Sequence, residues 1–93
     1  MDNYELSEYE QKKSDLLGKL ALKYCDFTEY YGVKMILLRL FALQDKKPLA
    51  FKMFGHALSD DFKKKFQKLP LITDEIEFLH WLDKNIEFNP ITE

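Results

Sequence analysis

The sequence predicts an all-α domain, a compact bundle of about five short helices, and three observations predict it. Apolar residues recur at helical spacings of three, four and seven along most of the chain. Helix-start residues stand ahead of those stretches, at Ser7, Thr28, Pro48, Ser59 and Thr73. No Asn-Gly or Asp-Gly pair marks a β-hairpin. With 93 residues, 46% of them hydrophobic and 15% aromatic, the chain suits one folded domain over 1–93 and does not carry the composition of disorder.

The first helix starts at Ser7-Glu8-Tyr9-Glu10, a capping box in which the Ser hydroxyl accepts from a free amide and the Glu reaches back. Tyr9, Leu16, Leu17, Leu20 and Tyr24 form its apolar stripe, while Lys12, Asp15, Lys19 and Lys23 take other faces. Gly18 weakens this helix modestly. Asp26-Phe27-Thr28-Glu29 is a second box, or a simple Thr28 cap, and restarts the chain. The run Val33 to Leu43 carries only Lys34 and Arg39 as charges, so it is expected to be the most buried helix. A strand is the rival assignment. Leu, Met, Ala, Lys and Arg outnumber β-branched residues there, and their propensities favour helix.

Gln44 to Pro48 is a polar connector, and Pro48 suits a first helical turn because its missing amide hydrogen costs nothing there. Leu49, Met53, Phe54 and Ala57 are expected on one inward stripe of the third helix. Ser59 caps the fourth, where Asp60 and Asp61 precede Lys63, Lys64, Lys65 and Lys68, the order that complements the helix dipole. Phe62, Phe66 and Leu69 face inward, and Pro70 ends the helix. Thr73 is expected to cap the fifth, whose stripe is Ile76, Leu79, Leu82 and Ile86 and whose end is marked by Asn89-Pro90. No internal repeat, low-complexity tract or Ser/Gly linker interrupts the chain.

Net charge is −2, but it is unevenly distributed. Residues 1–31 hold seven acids and four lysines, residues 32–68 eight lysines and Arg39 against three acids, and residues 69–93 six acids against Lys84. The ends are acidic and the centre basic. No stretch reaches the ~18 to 20 consecutive apolar residues of a membrane span, and the N-terminus lacks the basic flank and apolar run of a secretory signal. Cys25 is the only cysteine, which excludes an internal disulfide or a redox pair and fits a reducing, cytoplasmic compartment.

Catalytic chemistry finds no motif. Cys25 lies beside Asp26, whose charge opposes thiolate formation, so it reads as a core or boundary residue. His56 and His80 have no His or Cys partner at metal-ligand spacing, and Gly18, Gly32 and Gly55 are isolated rather than grouped in a phosphate-binding loop. No enzyme, metal or cofactor is expected. The leading expectation is a protein that occludes a partner with a basic surface, as an immunity protein or antitoxin covers a toxin or nuclease. Asp74, Glu75, Glu77 and Asp83 around Phe78 and Trp81 are its expected contact face.

A second reading is nucleic-acid binding through Lys46, Lys47, Lys52, Lys63, Lys64, Lys65 and Lys68. The segment Phe54 to Phe66 compares weakly with a helix-turn-helix, because Asp60 and Asp61 open the would-be recognition helix where phosphates would lie. A third reading is a homo-oligomeric module that buries its surplus aromatics, so both monomer and homodimer remain open.

Overall fold

Ser7 starts the first helix through the serine half of the expected box, its hydroxyl accepting from the Glu10 amide at 3.1 Å. The computed structural model describes residues 7–24 and 30–89. In chain order the helices are α1 (Glu8–Lys23), α2 (Tyr30–Ala42), α3 (Lys47–Phe54), α4 (Asp60–Lys68) and α5 (Glu75–Asn85). Cys25 and the expected restart cap at Asp26 to Thr28 lie outside the described residues. The run beginning at Val33 is helical throughout α2, which settles the choice between helix and strand. Pro48 stands in the first turn of α3, and the Ser59 hydroxyl caps α4 by accepting from the Phe62 amide at 3.1 Å.

Helix α1 packs on α2 and α5, and α2 also touches α3 and α5. Leu17, Leu20 and Ala21 of α1 meet Val33, Leu37 and Leu40 of α2 and Phe78, Leu79 and Leu82 of α5 in one buried cluster. Aromatic rings extend that cluster under α3 and α4. Phe66 lies 5.9 Å from Phe62, 5.9 Å from Phe51, 6.4 Å from Phe78 and 6.4 Å from Trp81, centroid to centroid. These separations fall in the range where edge-to-face and offset stacking add to simple burial.

Four expectations change. Asp74, not Thr73, caps α5: its carboxylate accepts from the Ile76 amide at 3.2 Å and also from the Tyr9 hydroxyl, so a contact with α1 selects the cap. Leu49 and Met53 face outward from α3, because Ala50, fully buried, and Phe51, edge-on to Phe66, hold the inner side. Helix α2, expected to be the most buried, keeps one side open: Val33, Leu37 and Leu40 are fully covered, but Met35 and Leu38, and Tyr31 ahead of that run, are exposed. Helix α5 ends at Asn85, four residues before Asn89, and an extended tail follows. The Ser59 amide donates to the Glu87 carbonyl at 2.9 Å and the Asn89 amide to the Ala57 carbonyl at 2.9 Å, an antiparallel bridge centred on Leu58 and Phe88.

Two local devices hold the connectors. Gln44, only 5% exposed, donates to the Phe41 and Ile72 carbonyls at 3.1 and 2.8 Å and accepts from the Ile72 amide at 2.9 Å. It staples the α4–α5 connector to the end of α2. At Gly55 a Cβ would stand 2.3 Å from the Phe51 carbonyl oxygen, so the tight exit from α3 requires glycine.

Candidate functional site

The expected acidic face on α5 is largely engaged within the fold. Lys13 donates to Glu75 at 3.0 Å, Lys23 pairs with Asp83, and the Tyr9 hydroxyl donates to Asp74. Helix α1 thus presents two lysines and a phenol at heights that match the acids of α5. The lysine beside Asp83 holds its carboxyl below the usual value of 3.8, and Glu75 and Asp83 hold Lys13 and Lys23 above 10.5. The hydrogen bond to Asp74 likewise raises Tyr9 above 10.0.

Phe78 is fully buried, so it cannot serve as an exposed contact of the face assigned to it from sequence. Its ring stands 5.4 Å from Phe41 and stacks 6.0 Å from Trp81. Trp81 is half-buried and also lies 5.6 Å from Phe62. Glu77 is the one member of the expected set that is exposed.

The central lysines divide. Lys47 donates to the Gln67 and Leu69 carbonyls at 3.2 and 2.6 Å, closing the C-terminal end of α4, and its ammonium lies 5.5 Å from the Phe66 ring centre. Lys63 donates to the Gly55 carbonyl at 3.0 Å and stands 3.4 Å from Asp60. Lys46, Lys52, Lys64, Lys65 and Lys68 are exposed. Lys64, Lys68 and Gln67 rim a shallow groove of about 390 Å³ against Phe51, but Asp60 stands in the same groove and offsets its charge. His80 opens on another groove beside Lys12, Asp15 and Lys19, while His56 is exposed. Among the described residues, no group of three His, Cys, Asp or Glu side chains is placed to hold a metal ion.

The surface that sequence reasoning missed lies on α2. Tyr31 is 76% exposed, Met35 50% and Leu38 40%, with exposed Ala42 continuing the line. The spacings of four, three and four residues put these side chains on one stripe opposite Val33, Leu37 and Leu40. Lys34 and Arg39 flank the stripe on either side. Lys34 lies 5.0 Å from the ring centre of Tyr30 and 5.7 Å from that of Tyr31, and those rings meet edge to face at 5.4 Å. Apolar residues on both sides of one helix were the available signal. The expectation that Val33 to Leu43 is the most buried helix hid it, because hydropathy does not say which neighbours a helix has.

Among the described residues, no helix is long and apolar enough to cross a membrane. No protein-family model, curated protein or solved structure matches the chain.

Proposed function

We propose that this chain is a small protein-binding domain that works by docking rather than by chemistry, and that the outer face of α2 is its docking surface. The observation that carries this reading is the line Tyr31, Met35, Leu38, Ala42, an apolar stripe turned to solvent on a helix whose opposite side is core. Contiguous exposed apolar surface of this kind marks interaction sites. Completing the burial of Tyr31, Met35 and Leu38 is worth about 1 kcal/mol each before the costs of association, since each is already partly covered. Tyr31 also has the amphipathic ring that recurs at interface centres.

An inhibitor of the immunity-protein or antitoxin kind is one form such a domain takes, because it needs only to cover a partner's working surface. Docking through α5 has less support, since Asp74, Glu75 and Asp83 already have partners on α1.

Site-specific photo-crosslinking in the native host tests the reading, with a photoreactive amino acid at Met35 and, for comparison, at Lys64. A discrete protein adduct from position 35, absent from position 64 and lost on Leu38→Asp in a variant whose helical circular dichroism is intact, is the expected result. No adduct from position 35 overturns the docking face. Nucleic-acid adducts from position 64 alone would transfer the function to the exposed lysines of α3 and α4.

A further inference from the structure

The exposed stripe of α2 has the spacing of a coiled-coil seam. Written as a heptad, Tyr31 and Leu38 occupy d, Met35 and Ala42 occupy a, Lys34 occupies g and Arg39 occupies e. The stripe runs straight for about 16 Å at the helical rise of ~1.5 Å per residue, the shape another helix covers. Positions e and g flank such a seam and decide partner choice through charge pairs between helices. Both charged flanking residues here are cations, and α2 contains no acid. Among the described residues Arg39, which is exposed, and Lys34 have no carboxylate partner, and the Lys34 ammonium lies over the Tyr30 and Tyr31 rings.

A second copy of the chain does not answer that charge pattern. In a parallel pair, g of one helix faces e of the next heptad on the other, five residues on, which sets Lys34 against Arg39. In an antiparallel pair, g meets g and e meets e, so lysine faces lysine and arginine faces arginine. Either arrangement brings like charges together at the rim of the seam and offers no counter-charge from α2.

We propose that the occupant of this face is an amphipathic helix of another protein, apolar at a and d and acidic at e and g. The partner's carboxylates pair with Lys34 and Arg39 while its apolar ridge covers Tyr31, Met35 and Leu38. This inference rests on the docking reading above and adds the chemistry of the partner. Its sign is opposite to the basic partner expected from α5. Acids spaced along one helix flank meet Lys34 and Arg39, whereas the α5 acids already meet the lysines of α1.

Two synthetic helices of about three heptads test it, both with leucine at a and d, one with glutamate and the other with lysine at e and g. Each carries a fluorophore and is titrated with the full-length protein, read by anisotropy at low and moderate salt. The glutamate helix should bind about tenfold more tightly than the lysine helix, two rim pairs each contributing a fewfold. That preference should shrink with salt. The double variant Lys34→Glu/Arg39→Glu should reverse it, and Leu38→Asp should abolish binding of both peptides.

Equal binding of the two peptides, or tighter binding of the lysine helix, overturns the acidic assignment but leaves the docking face in place if Leu38→Asp still abolishes binding. Binding of neither peptide also overturns the acidic helix, and crosslinking from position 35 then decides the docking face separately. A dimer in sedimentation that Leu38→Asp dissolves overturns the assignment in favour of a second copy.

Discussion

Gln44 shows how one polar side chain can fix a connection that no hydrophobic contact specifies. It is nearly buried, and its amide serves both the carbonyl and the amide of Ile72 while also donating to Phe41. Gln44→Ala would leave the Ile72 amide and carbonyl without these partners. An unpaired backbone group costs about 1 to 3 kcal/mol when buried, and Ile72 is only partly buried, so a loss of about 1 kcal/mol in denaturant unfolding is expected, with m unchanged. Gln44 was legible only as part of a polar connector, because its partner lies 28 residues away. Ser7 and Ser59, by contrast, were readable as caps because the amides they accept from are three residues on. Asp74 displaced Thr73 for the reason that made Gln44 unreadable: its carboxylate also answers to a residue on another helix.

At the scale of elements, the seam between α1 and α5 is polar as well as apolar, and its polar part titrates. Asp83 is held below 3.8, so its pairing with Lys23 stabilises the fold fully above that value and is lost as pH falls through the folded value. Lys13 and Lys23 are held above 10.5, so their contribution is complete below 10.5 and is lost as pH rises through the folded values. Tyr9 acts in the same direction, donating to Asp74 only while protonated, and its contribution is complete below 10.0. Thermal unfolding measured against pH should show this seam contributing a plateau between those limits and a decline at each end. The Asp83→Asn variant should unfold at a lower temperature than the parent at neutral pH and converge with it in acid below the folded value of Asp83. A constant difference at every pH would assign the effect to packing instead. The acids of α5 and the lysines of α1 were visible in the sequence as opposite charges, but their engagement with one another was not. Fixed spacing along a helix says which residues share a face and leaves open which helix that face meets.

For the whole molecule, the aromatic cluster joins what the three short polar-faced segments could not bury alone. Phe66 is fully buried and lies between Phe51, Phe62, Phe78 and Trp81, which belong to α3, α4 and α5. Phe66→Ala should destabilise the fold by about 3 to 5 kcal/mol, the range for emptying a large aromatic site in a core. Phe66→Leu should cost less because it leaves a smaller void, and chemical denaturation of both variants checks the order. A domain of this size has little stability in reserve. The alanine variant should therefore also show partial unfolding at moderate temperature. The sequence by itself determined that the chain is helical, where most helices begin and the inward placement of Leu17, Leu20, Phe62, Phe66, Leu79 and Leu82, although Tyr9, expected on the same stripe of α1, is exposed. Periodicity and capping act within a few residues, so local order along the chain carries them. Only the tertiary structure decided that Phe78 belongs to the core, that α1 neutralises α5, and that α2 keeps an apolar side toward solvent. Each of these depends on which surface lies opposite, and that is set by packing between residues far apart in the chain.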